Sequence, residues 1–183
     1  MMYPPEINIH LEDREWSFTY TDHDREIVRA IVFDDSHNFY FVQAIRNDEF
    51  GKAALIETSG GGVEDGEDLH TAILRELKEE LGVHVEILCK IGVVDDYYNL
   101  IHRHNINHYY LCKALSFGEK NLMPDEIEKF HLSTLKLRYE EAVHEYKKCS
   151  VTKLGRLIAA RELPVLEQAK IIMEQESFQY HAK

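Results

Sequence analysis

Gly61-Gly62-Val63-Glu64-Asp65-Gly66-Glu67-Asp68-Leu69-His70-Thr71-Ala72-Ile73-Leu74-Arg75-Glu76-Leu77-Lys78-Glu79-Glu80-Leu81-Gly82-Val83 is the stretch that decides how this chain folds. Its second half, Leu69 to Leu81, repeats apolar residues at helical spacing and is closed by Gly82, a typical residue just past a helix end. Gly60-Gly61-Gly62 stands before it, and Asp65-Gly66 makes a second tight turn. A short apolar run, Ala53 to Glu57, leads into the glycines. The segment predicts strand, loop, helix.

Between Glu57 and Glu80 there are eight acids and two bases, a local balance of −6, so half of the formal net charge of −12 sits in 24 residues. A solvated acidic face would account for clustering alone, so the position of the acids around the helix decides. Advancing about 100° per residue from Leu69 at zero, Glu76 falls near about −20°, Glu79 near about −80° and Glu80 near about +20°. His70, Ile73, Leu74, Leu77 and Leu81 lie between about +40° and +140°, so the carboxylates border the apolar stripe while Thr71 and Lys78 take the far side. Glutamates at i, i+3 and i+4 repel one another, and burial beside a core adds a desolvation cost. A cation removes both penalties. All-oxygen ligands suit Mg²⁺ or Mn²⁺, and the absence of a neighbouring Cys or His set disfavours zinc. The glycines form no phosphate loop of the Gly-Lys-Ser/Thr type, because no Lys follows them before the helix.

Gly61, five residues, Glu67, seven residues, then Arg75-Glu76-Leu77-Lys78-Glu79-Glu80-Leu81-Gly82-Val83 resembles the 23-residue Nudix box at all nine of its defined positions. The resemblance implies an α+β fold, the Nudix α/β/α sandwich with a mixed sheet and C-terminal helices. It implies hydrolysis of a phosphoanhydride bond in a nucleoside diphosphate linked to another moiety, such as a nucleotide derivative or sugar nucleotide. By position, Glu76, Glu79 and Glu80 look like the Mg²⁺ or Mn²⁺ ligands, with the Gly60 or Gly61 carbonyl as a further one. Arg75 and Glu67 are similar to the pair that orients loop and helix. The general base is a box glutamate or one from outside, so Glu76, Glu79, Glu126 and Glu128 are the catalytic candidates. Arg29, Arg46 and Tyr98 are the candidate substrate contacts. Ser59 stands where many members have Pro, which predicts a less rigid loop. The Pro that follows the box in ADP-ribose hydrolases is missing, since no proline occurs between Pro5 and Pro124. The alternative function is a nucleotide-sensing module without turnover, which usually costs box carboxylates. Prenyl diphosphate isomerisation would call for Cys and His ligands that this chain does not gather.

Outward from the box, Glu26 to Phe33 and Phe39 to Arg46 read as a hairpin around Asp34-Asp35-Ser36-His37-Asn38. Val85 to Val94 and His108 to Phe117 read as strands joined by an aromatic and His-rich connection, Asp95 to Asn107. That connection is suited either to lining the substrate cleft, with rings on a base and Arg or His on phosphate, or to decorating a hairpin tip. Leu132 to Leu137 predicts a further short strand. Tyr139 to Lys147 and Val151 to Glu174 predict helices, the latter broken near Pro164, with fraying from Gln175 onward.

At 183 residues with 44% hydrophobic and 30% charged composition, the chain is expected to be one domain over 1–183, with its core at about 24–148 and a helical element at about 151–174. Thirty-three acids against 21 Lys and Arg exclude a nucleic-acid coat function but leave phosphate-bearing small substrates open through a cation. No run of about 18 apolar residues exists to cross a bilayer, and the first residues lack the marks of a secretion signal, so a cytoplasmic protein is expected. Cys89, Cys112 and Cys149 suggest no disulfide framework. The amphipathic stretch Leu154 to Ile172 suits a homodimer contact or packing on the sheet equally.

Overall fold

A computed structural model describes residues 3–181, with side chains through residue 175. Eight strands form one mixed sheet. They are β1 (Ile7–Leu11), β2 (His23–Phe33), β3 (Phe39–Asp48), β4 (Gly51–Glu57), β5 (Ser59–Gly62), β6 (Val83–Tyr98), β7 (Arg103–Phe117) and β8 (Ser133–Leu137). The helices are α1 (Leu69–Leu81), α2 (Pro124–Glu128), α3 (Tyr139–Cys149) and α4 (Lys153–His181). The sheet order is β1-β6-β7-β2-β3-β4, with β5 paired to β2 and β8 to β3.

Alternation along the central strands splits the core into two layers. Val28, Ala30 and Val32 of β2, with Tyr110 and Cys112 of β7, pack against Ile73 and Leu77 of α1. Ile31 and Phe33, with Tyr109 and Leu111, face α3 and α4 through Tyr146, Leu154 and Ile158. Ile73 and Leu77 are both fully buried, and each such side chain contributes roughly 1.5–3 kcal/mol. The apolar side of α4 is therefore occupied within the chain.

β2 forks. It pairs with β3 only at Val32 and Phe33, near the connecting turn, and with β5 from Ile27 to Ala30. As β3 diverges, its residues and those of β2 both come to line one cavity.

Four expectations are corrected. The glycine trio is strand rather than loose turn, because β5 is hydrogen-bonded along β2. The connection Asp95 to Asn107 is mostly strand: β6 and β7 pair as far as Tyr98 and Arg103, leaving only a short 3₁₀ turn at Asn99–Ile101. Helix α4 runs unbroken through Pro164 and past Gln175 to His181; residues 182–183 lie outside the described ones. Arg161, Glu162, Val165 and Leu166, flanking the proline, have no exposed surface, and that packing outweighs the roughly 3 kcal/mol a helix-interior proline costs. Strand β1 and helix α2 were invisible to the periodicity, being only five residues each.

Candidate active site

Helix α1 begins where Asp68 accepts from the Thr71 N–H at 2.9 Å and ends at Gly82, whose left-handed backbone (φ 63°) lets its N–H reach the Leu77 and Lys78 carbonyls. The residues it buries are Ala72, Ile73, Glu76, Leu77, Glu80 and Leu81. Glu76 and Glu80 thus lie inside the buried arc and not merely at its border, whereas His70 and Leu74 are exposed. The shift places two carboxylates under the glycine strand.

A Cβ on Gly61 would stand 2.5 Å from Glu76 Oε1, so a side chain there would push that carboxylate out of its place under β5. Glu80 accepts from the Ser59 hydroxyl at 2.6 Å and from the Gly60 N–H at 3.0 Å. Repulsion between such helical neighbours amounts to only about 0.2–0.5 kcal/mol per pair, while burying a carboxylate costs several kcal/mol, so desolvation far outweighs repulsion here. Burial raises the Glu76 pKa and pushes that of Glu80 up to about 8, with the negative charges nearby, Glu126 among them, adding to both shifts. Glu79 is more accessible, its side chain 27% exposed, and lies 3.5 Å from Arg75.

Arg75 ties the box together. Its Nε and one terminal nitrogen donate to the two Glu67 oxygens at 2.9 and 2.8 Å, and that nitrogen also donates to the Gly62 carbonyl at 3.1 Å. The other terminal nitrogen donates to Glu76 at 2.7 Å. These bonds hold the Glu67 carboxyl down to about 2.

A cavity of about 310 Å³ opens beside the box, lined in part by Gly60, Gly61, Glu80 and Glu126. Arg29, Arg46 and Tyr98 line it too. Arg29 pairs with Glu57 at 2.9 Å. Arg46 pairs with Asp48 at 2.6 Å and lies over the rings of Phe50 and Phe130. Tyr98 accepts from Arg161 at 2.8 Å, and burial pushes its phenol up to about 12. Glu128 is apart from this group, in a neighbouring hollow with Lys52, Asp125 and His131.

Beneath the cavity α4 inserts a fully buried pair, Arg161 and Glu162. Arg161 donates to Glu57 at 2.7 Å, Asp96 at 3.2 Å, Tyr98 at 2.8 Å and Tyr109 at 3.0 Å. Glu162 accepts from the Thr58 N–H at 2.9 Å and hydroxyl, from Tyr146 at 2.6 Å and from Tyr109 at 3.2 Å. Thr58 directly precedes Ser59 and Gly60, so the C-terminal helix braces the strand that holds Glu80.

Sequence reasoning missed this pair, although a charged dipeptide between Leu157 and Leu166, flanked by apolar residues, was the signal. It also missed Arg25, Phe50 and Phe130 as cavity residues. His102 and His104 leave the cavity to Arg103 and Asn105: His102 stacks on Tyr20, and His104 bonds Asp24 and Asp95 at 2.9 and 3.0 Å. His108 bonds Glu26.

The donors near the glycines are hard oxygens bearing more negative charge than Arg75 balances, and that chemistry fits a divalent cation of the Mg²⁺ type. Here Arg75, Ser59 and Gly60 hold the carboxylates apart, and among the described residues no three His, Cys, Asp or Glu side chains are gathered into a ligand cluster. No described helix is long and apolar enough to cross a membrane.

A family model, the NUDIX domain, matches residues 23–152. No curated protein matches the chain in sequence. Among solved structures the chain is similar to a NUDIX hydrolase from Nitrosomonas europaea, with a TM-score of 0.61, 15% identity, and 84% of this chain and 90% of that one covered. It is similar to a MutT NUDIX hydrolase from Burkholderia pseudomallei, with a TM-score of 0.53, 22% identity and coverage of 65% and 86%. A UDP-X diphosphatase gives a TM-score of 0.53 at 16% identity, with coverage of 83% and 65%. At these identities the likeness is one of fold.

Proposed function

The chain belongs to the NUDIX family, and from that premise we propose that it hydrolyses a phosphoanhydride bond in a nucleoside diphosphate linked to a second moiety, with Mg²⁺ or Mn²⁺ as cofactor. The observation that carries this reading is the burial of Glu76 and Glu80 under β5, with Glu80 on the wall of an arginine-lined cavity. Two carboxylates left so poorly solvated are poised to exchange protons for a cation.

Glu76, Glu79, Glu80 and the Gly60 carbonyl are the proposed holders of the cation. When bound, it would neutralise the diphosphate and lower the pKa of water. Glu126, brought to the cavity wall by α2, is the proposed base that takes the proton of the attacking water. Arg29, Arg46 and Tyr98 are the proposed substrate contacts. Gly61, Glu67, Arg75 and Gly82 keep strand and helix in register. A cytoplasmic location belongs to the same proposal and is supported by the three free cysteines.

The test is a panel of diphosphate-linked nucleotides and sugar nucleotides with Mg²⁺ or Mn²⁺ and product identification. Hydrolysis that falls by about two orders of magnitude or more in Glu126→Gln supports the assignment of the base. No product from any member of the panel overturns the hydrolase reading.

A further inference from the structure

Parallel pairing of β2 with β7 sets Arg25 directly beside Asn105, and Arg103 lies two residues away on the same face of β7. All three line the cavity. The remaining cavity arginines are neutralised: Arg29 and Arg161 by Glu57, Asp96 and Glu162 together, Arg46 by Asp48. Among the described residues Arg25 and Arg103 have no carboxylate within ion-pairing distance.

Two buried polar atoms at this place lack any partner, Arg103 Nε and Asn105 Oδ1. Asn105 has no exposed surface, and its amide is oriented by donation to Asp96 at 3.2 Å. The Arg103 guanidinium lies over the Tyr98 ring, 5.6 Å from its centroid. Burial and the nearby charges of Arg25 and Arg29 press the Arg103 pKa down. An unsatisfied donor among repelling cations, next to an unsatisfied acceptor, is costly to fold and calls for a ligand that brings both an anion and a donor. The acidic end of the cavity, where Glu76 and Glu126 act on Glu80, has the opposite character.

We propose that Arg25, Arg103 and Asn105 form a specificity subsite for the sugar-phosphate portion of the substrate, the arginines taking phosphate oxygens and Asn105 Oδ1 accepting from a sugar hydroxyl. The subsite deepens the hydrolase reading and rests on it for the identity of the substrate, but its binding step requires neither cation nor turnover. A bidentate guanidinium contact suits phosphate, and the neighbouring amide acceptor discriminates a hydroxyl-bearing ligand from a bare anion.

The experiment follows the arginine Nε–H signals by ¹⁵N NMR in the full-length protein with EDTA, titrated separately with ribose 5-phosphate, inorganic phosphate and ribose. Ribose 5-phosphate should bind most tightly and shift the Arg103 signal. Arg25→Gln and Arg103→Gln should each weaken it about tenfold or more, while Arg14→Gln, at an exposed position, should leave it unchanged. Asn105→Ala should erase the preference over inorganic phosphate. Equal affinity in wild type, Arg25→Gln and Arg103→Gln overturns the subsite, and Arg25, exposed and unpaired, keeps that outcome readable if Arg103 variants fold poorly. With Mg²⁺ present, Arg103→Gln should raise KM with kcat nearly constant. Metal-free binding by a protein that hydrolyses nothing would refute the proposed activity and leave the subsite standing. Hydrolysis with an unchanged KM in Arg103→Gln would refute the subsite alone.

Discussion

The hydroxyl of Ser59 donates to the Glu80 carboxylate at 2.6 Å, and both residues are buried. The position that promised a looser loop in the sequence is therefore a fixed donor to the most deeply buried box carboxylate. Ser59→Ala removes one of the two donors that the protein supplies to Glu80, the other being the Gly60 N–H. Glu80 must lose its proton to take up a cation, and a hydrogen bond to the ionised carboxylate contributes about 1.5–3 kcal/mol, so activity with Mg²⁺ at neutral pH should fall roughly tenfold to a hundredfold. Steady-state kinetics across a Mg²⁺ series would check it, with the half-saturating metal concentration expected to rise.

Glu162 gathers Thr58, Tyr109, Tyr146 and Arg161 with no exposure to solvent. Glu162→Ala would strand the buried Thr58, Tyr109 and Tyr146 donors and remove one of the three carboxylates around Arg161, and truncating one member of such a buried network costs about 3–5 kcal/mol. Urea denaturation should show that loss, with Glu162→Gln losing less because it keeps the shape and an acceptor.

His104 bridges β2 and β6 through Asp24 and Asp95, and Asp95 also accepts from His10 Nδ1 at 2.6 Å. Burial opposes protonation of His104, but the two carboxylates outweigh it and raise the pKa above 6.5. A raised histidine stabilises the fold fully below its unfolded value and loses that contribution as pH climbs through the folded one. The melting temperature advantage of wild type over His104→Gln should therefore be greatest just below pH 6.5 and shrink above it; a difference that grows with pH contradicts the pairing.

The box, its helix bounds and the core strands were legible because each rests on local pattern: the 3.6 period of Leu69 to Leu81, the glycine stop at Gly82, the β-branched runs of β2 and β3. Glu76, Glu80 and Gly61 converge through that same local geometry. What escaped is set by distant partners. Arg161 and Glu162 sit about a hundred residues from Glu57 and Thr58, and no spacing rule joins them. Asp95 to Asn107 looked like a connection because its polar residues are those of the cavity face, where Asn105 and Asn107 both donate to Asp96 inside the sheet. Pro164 signalled a break that tertiary packing overrode.

The central claim is that the acidic face of α1 holds a divalent cation. Titration of Mn²⁺ into the metal-free protein, followed by electron paramagnetic resonance, tests it most directly. Wild type should take up Mn²⁺ with loss of the free-ion signal, and Glu80→Gln and Glu79→Gln should weaken that uptake about tenfold or more, since each removes a charged oxygen ligand. Uptake of equal strength in all three proteins, or none in wild type, would contradict it.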